Sequence, residues 1–235
     1  MALPLFYLAD VVLENQVILN EETSRHIAQV LRMQHGSFIQ LTDGRGHLLD
    51  AEITEAHKKR TVVKIIKKQN IPATSKRITI AISPIKNASR FEWFLEKATE
   101  VGVNEIIPLI CQRTEKEKLR TSRLQQILVS AMLQSRQVWL PVLHEPTPIS
   151  FLVENAIHSK KYIAHCEDGV KNNLSSESSS NTDTVLMLIG PEGDFTPGEI
   201  KQTLTKGFTP VSLGDNRLRT ETAGVVAAIL LRLNK

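Results

Sequence analysis

Apolar residues recur at two different spacings along this chain, and the spacing changes near residue 70. Before that point, short alternating runs at 16–19, 38–41, 47–53 and 61–66, with a turn signal at Asp43-Gly44-Arg45-Gly46, predict a small β-rich domain. Within it, 21–32 carries Ile27, Val30 and Leu31 at helical spacing and predicts one helix. Residues 69–76 are polar, include a proline and read as a connector. Beyond it, strands predicted at 77–83, 105–111, 162–165, 185–189 and 210–213 alternate with helices at 87–101, 121–138 and 222–233. The first of these helices puts Phe91, Phe94, Leu95, Ala98 and Val101 on one face and stops at Gly102; the second turns Leu124, Ile127, Leu128 and Ala131 inward. Residues 172–184 are serine-rich and read as a mobile loop. The alternation predicts an α/β domain with a mainly parallel sheet covered by helices.

Two late strand ends carry the candidate chemistry. Each runs into a loop of glycine and charge that opens a helix, which is how α/β proteins bind ligands outside the carboxyl ends of a sheet. The first of those helices is well marked. Thr196 is a capping hydroxyl, Pro197 takes the first helical position and Glu199 completes a capping box. By contrast, Ser83-Pro84-Ile85-Lys86-Asn87 after the first α/β strand has no glycine, which excludes an ordinary nucleotide turn there. The last helix is apolar almost all round until Arg232, so it is buried on every side or lies in an interface, with Ala223, Gly224, Ala227 and Ala228 allowing close contact.

At 41% hydrophobic and 23% charged, the 235 residues have the makeup of an ordinary soluble protein able to bury a core. Cys111 and Cys166 lack the spacing of a zinc site or disulfide framework, so a reducing cytoplasm is expected and no metal. The apolar start lacks a basic segment and meets Asp10 and Glu14 too soon for a signal peptide or membrane span. Net charge is only +4, but residues 56–91 hold no acid and ten bases, Lys58, Lys59, Arg60 and Arg90 among them. A solvated face is one reading of that run; a polyanion partner is the other.

Gly190-Pro191-Glu192-Gly193, Leu213-Gly214 and Leu218-Arg219-Thr220-Glu221-Thr222-Ala223 resemble the three cofactor loops of SPOUT methyltransferases, and most of all those of the RsmE family, the 16S ribosomal RNA uridine N3-methyltransferases. The stretches SRHIAQVLRMQHGSFIQLTDGRGHLLDAEI, EKATEVGVNEIIPLICQRT and LQSRQVWLP resemble the same family, so the likeness spans nearly the whole chain. Two departures stand out: Asp194 where the family usually has glycine, and Leu133 where it usually has glutamate.

The resemblance implies a PUA-like β-barrel at residues 1–70 and a trefoil-knotted SPOUT domain at 76–235, a threading that ordinary connection rules would not suggest. It implies a homodimer with 16S ribosomal RNA or the small ribosomal subunit as partner. It also implies S-adenosylmethionine held mainly by backbone of Ile189, Gly190, Pro191, Glu192, Gly193, Leu213, Gly214, Leu218, Arg219, Glu221, Thr222 and Ala223. Arg25, Arg32, Gln134 and Arg136 join Lys58, Lys59 and Arg60 as candidate RNA contacts; the two helix arginines could equally serve solubility. Uridine N3 must lose a proton before it attacks. Arg219 is the candidate charge for the developing anion, and Glu192 a candidate carboxylate whose first reading is to fix its loop. Other RNA bases, or RNA binding without catalysis, remain as alternatives.

Overall fold

The computed structural model describes residues 3–9, 15–115, 118–178, 180 and 182–234, so Asp10 and Glu14 lie outside the described residues. The chain forms two compact units, Met1–Ala73 with Met132–Leu140, and Thr74–Ala131 with Pro141–Lys235.

In the first unit β1 (Leu5–Tyr7), β2 (Gln16–Ile18), β3 (Phe38–Thr42), β4 (His47–Glu55) and β5 (Val62–Asn70) form one sheet in the order β1-β3-β4-β5-β2. Its alternating residues, such as Ile39, Leu41, Leu49, Ala51, Ile53 and Val63, make a core with Phe6 and Ile27. β5 continues through Gln69 and Asn70, which pair with Leu48 and His47, so the connector begins later than its polar composition predicts. Ladder pairing with β4 satisfies that backbone whatever the side chains prefer.

The expected helix over 21–32 is also shorter than predicted. α1 (Glu21–Arg25) is capped by the Asn20 side chain and runs into a π-helical turn, His26–Val30, where Leu31 N–H donates to His26 O at 2.9 Å. Arg32 then adopts φ 53° and ends it. The wider turn keeps Ile27 buried but leaves Val30 and Leu31 exposed, because i+3 and i+4 neighbours no longer share a face. Residues 132–140 pack within this unit as well: Cβ atoms on Gly44 and Gly46 would meet Leu140 and Trp139 at 2.8 and 2.5 Å, and both glycines have positive φ.

The second unit holds a parallel sheet of β6 (Arg77–Ile82), β7 (Glu105–Ile110), β8 (Val142–Leu143), β9 (Thr147–Pro148), β10 (Lys160–Ala164), β11 (Asn172–Asn173), β12 (Thr184–Ile189) and β13 (Thr209–Ser212). The order is β11-β13-β10-β12-β6-β7-β8, with β9 also on β7. Both faces are covered, which explains the near-continuous apolar runs of β6 and β12. Leu186 and Leu188 join the core under α4 (Ile149–Asn155) and α5 (Pro197–Thr205). The opposite face meets α6 (Thr220–Leu233), against which α2 (Ala88–Val101) packs, while α3 (Thr121–Gln134) ends four residues before the predicted 138, and Arg136 turns to φ 58°.

The serine-rich segment is not simply a loop. β11 pairs with β13, and Leu174 is fully buried with its carbonyl accepting from the Asn234 side chain at 2.7 Å. One leucine and a two-residue edge pairing are enough to anchor a stretch whose composition alone predicts mobility.

Candidate active site

A cavity of about 680 Å³ opens at the carboxyl ends of β10, β12 and β13. Strand order makes it: β12 is inserted between β6 and β10, and β13 lies on the far side of β10, so the two glycine loops flank the end of one strand. Its wall takes in Ile189, Gly190, Pro191, Glu192, Leu213, Gly214, Leu218, Arg219 and Ala223. Gly193, Glu221 and Thr222 stand just outside that wall. Arg90, His165, Cys166, Lys171, Asp194 and Arg217 line it too, and sequence reasoning assigned none of them to it.

The first loop is held residue by residue. A Cβ on Gly190 would press on the ring of Phe195 at 3.0 Å, so this glycine lets the loop fold onto its own buried phenylalanine. Gly193 has room for a Cβ, with Arg113 Cδ at 3.4 Å, and its carbonyl accepts from Arg113 Nη1 at 2.6 Å. Asp194 occupies φ 62°, a left-handed position that glycine would fill without strain. Its Oδ2 accepts from Cys166 N–H at 2.7 Å and its Oδ1 from Phe195 N–H at 2.8 Å, bonds that a glycine could not make and that tie the loop to the end of β10. The helix that follows carries the predicted capping box, and Glu199 also accepts from Gln112 N–H at 2.8 Å.

The second loop turns at Gly214, at φ 130° with open space where a Cβ would stand. Ser212 Oγ braces it, donating to Gly214 O at 2.9 Å. The chain then enters α6 at Arg219, whose backbone caps the helix and whose exposed side chain has no hydrogen-bond partner among the described residues. The first turn of α6 offers N–H groups that its own helix cannot satisfy.

Arg90 ties these pieces together. Its Nε and Nη2 donate to the two oxygens of Glu221 at 2.6 and 2.7 Å, and Nη1 donates to Glu192 Oε1 at 2.6 Å. Burial pushes the Glu221 carboxyl up, but the Arg90 bonds outweigh it and hold it below its ordinary value. The two carboxylates, Glu221 first, raise Arg90 in turn. Burial lowers His165, and its Nδ1 is buried without a hydrogen-bond partner among the described residues.

The RNA candidates all fall in the first unit. Arg25, Arg32, Lys58, Lys59, Arg60, Gln134 and Arg136 are exposed, and Arg60 makes only a loose 3.7 Å contact with Glu55. Arg136 is engaged instead, donating to Leu3 O at 3.0 Å and Gln40 Oε1 at 2.8 Å. Among the described residues no group of three or more His, Cys, Asp or Glu could hold a metal ion, and no helix is long and apolar enough to cross a membrane.

The family model described as RNA methyltransferase domain matches residues 72–232, and that described as RNA methyltransferase PUA domain matches 19–66. A ribosomal RNA small subunit methyltransferase E from Mesomycoplasma hyopneumoniae is 30% identical over 217 residues, 90% of this chain and 92% of its own. The crystal structure of a probable rRNA-methyltransferase from Porphyromonas gingivalis superposes with a TM-score of 0.89 at 38% identity, covering 96% of this chain and 95% of that one. A ribosomal RNA small subunit methyltransferase E from Neisseria gonorrhoeae, solved bound to S-adenosyl methionine, superposes with a TM-score of 0.85 at 29% identity over 97% of this chain and 95% of its own. With both units matched and the late glycine loops gathered round one cavity, the chain belongs to the RNA methyltransferase family of the small subunit methyltransferase E (RsmE) type.

Proposed function

We propose that this chain is an S-adenosylmethionine-dependent methyltransferase that modifies N3 of a uridine in 16S ribosomal RNA. In this reading residues 1–70 form a PUA-like RNA-binding domain, and 76–235 a trefoil-knotted catalytic domain that works as a homodimer in the cytoplasm. The observation that carries it is the cavity at the ends of β10, β12 and β13, walled by two glycine loops and the start of α6. The residues suit the cofactor. The volume is that of a small-molecule site, and Ile189, Val211, Leu213 and Leu218 supply apolar walls. Gly214 leaves its backbone open, and the first turn of α6 presents N–H groups that have no carbonyl partner within the helix. Ile229 and Leu233, exposed one turn apart on α6, support a contact with a second copy.

When bound, the sulfonium supplies an electrophilic methyl group for in-line attack. The chain's own work is orientation and charge. Arg219 lines the cavity, and its guanidinium has no hydrogen-bond partner among the described residues. Aimed at a uracil oxygen, it stabilises the anion that forms as N3 loses its proton. Glu192 is committed to Arg90, which favours the loop-fixing role over that of a base. Mass spectrometry of nucleosides from 16S ribosomal RNA, in cells with and without this protein, tests the reading. Loss of one 3-methyluridine supports it; an unchanged nucleoside profile overturns it.

A further inference from the structure

Arg90 belongs by sequence to the acid-free run, yet it is the cation most fully engaged at the site. The three residues of its cluster come from three elements: the first turn of α2, the loop after β12 and the first turn of α6. Two of those elements form a frame. A Cβ on Gly224 of α6 would stand 2.6 Å from the Phe94 ring of α2, and Arg232 near the end of α6 donates to the carbonyls of Val101 and Gly102 that close α2. The helices thus run side by side in the same direction, joined at their starts by Arg90–Glu221 and at their ends by Arg232. The Glu221 side chain is 8% exposed, Arg90 25% and Glu192 45%. The shielded fork belongs to the frame, and the third bond reaches out to the loop.

We infer that Arg90 is a positioning residue that fixes the first loop against the start of α6, so that two walls of the cavity hold one spacing before any ligand arrives. The inference rests on the reading of this cavity as the methyl-donor site. A guanidinium suits the task because its planar donors grip one carboxylate with two bonds and leave another for a second, which an ammonium cannot reproduce. Arg113 and Asp194 hold the next two residues of the loop to other elements, so Glu192 is the point at which the rigidity of the helix pair enters it. Ordering the loop in advance removes a cost that binding would otherwise bear.

The test is calorimetric titration of S-adenosylmethionine into the parent protein, Arg90→Gln, Arg90→Lys, Glu192→Gln and the double variant Arg90→Gln/Glu192→Gln. It is joined by amide hydrogen exchange across 186–194 and 218–224 in the unliganded proteins. Each glutamine variant should raise Kd roughly tenfold, the usual scale for side chains sharing one network, and the double variant should add little to the larger single loss. Exchange in 190–194 should quicken, and lysine should recover part of both effects. Because Arg90→Gln strands the buried Glu221 and endangers folding, Glu192→Gln tests the same link with the Arg90–Glu221 pair intact. Parental affinity and exchange in Glu192→Gln overturn the inference. So do fully additive losses, which mean that each side chain meets the ligand on its own, and so does a lowered melting temperature with unchanged Kd. A parent protein that binds no S-adenosylmethionine defeats the reading of the cavity instead, while exchange in the unliganded proteins still decides the link.

Discussion

Arg219 and Arg90 are both cations of one cavity wall, and the structure gives them opposite work. Arg90 is paired with Glu221 and Glu192, whereas Arg219 has no hydrogen-bond partner among the described residues, and in the proposed function its charge serves a substrate. Arg219→Ala should lower the single-turnover methylation rate by roughly two to three orders of magnitude, the scale for losing one preorganised donor to a developing anion. Lysine should restore only part, and cofactor affinity should change much less than rate. A parental rate with normal cofactor and RNA binding removes Arg219 from the mechanism. Only the motif resemblance made Arg219 visible in the sequence. Arg90 had no such signal, because nothing local shows that a residue at the start of one helix will face a glutamate 131 positions later.

At the scale of elements, the helix pair α2–α6 gives the last helix its meaning. Its all-round apolar pattern predicts burial or an interface, and its small residues predict close contact. The structure supplies the partner, with Phe94 and Ile82 Cδ1 at 2.6 and 2.8 Å from a Cβ that Gly224 lacks. An alanine for glycine inside a helix ordinarily gains about 1 kcal/mol from propensity. Here the added methyl meets a fully buried ring, so Gly224→Ala should destabilise by about 1–3 kcal/mol, the range for overpacking a core. Urea unfolding measures it, and a midpoint at or above the parent's would show that the pair has slack. The strands β6, β7, β10, β12 and β13 and the helices α2 and α6 were legible to within a residue or two because period and caps are local, whereas β8, β9, β11 and α4 were not predicted. The ends of α1 and α3 were not, since a π turn and a left-handed residue at 136 have no marker in the hydrophobic pattern.

Across the whole molecule, partly buried carboxylates and histidines set the response to acid. At Glu105, burial raises the carboxyl, but hydrogen bonds from Arg77 at 2.7 Å and His144 at 2.8 Å bring it below its ordinary 4.5. Glu221 is lowered likewise, so both stabilise fully above pH 4.5 and lose that contribution as pH falls through their folded values. His158 and His165 are held below their ordinary 6.5 by burial, so the unfolded chain also takes up more protons as pH drops below 6.5. The urea midpoint should therefore decline gently from pH 6.5 and steeply below 4.5. Arg77→Ala should lower the midpoint at pH 7 and flatten the steep limb, because Glu105 then keeps less of its depressed value. A parental midpoint that holds level from pH 7 to pH 3 would rule this account out.

Hydrophobic period alone determined the β-rich first part, the α/β second part and most element positions, because each depends on neighbours within one or two turns. Glycine placement after two late strands pointed to the end of the sheet where the cavity opens, for the same reason. Tertiary structure decided what depends on partners far along the chain. It anchored the serine-rich segment through Leu174 and β11, put residues 132–140 with the first unit, and spent Arg136 on Leu3 and Gln40. It also gave Asp194 two backbone partners that no glycine could hold, and closed Arg90 on Glu192 and Glu221. Hydrogen bonds and ion pairs act only at contact distance, and the placement of β12 and β13 on either side of β10, which brings those groups together, is written in no local pattern.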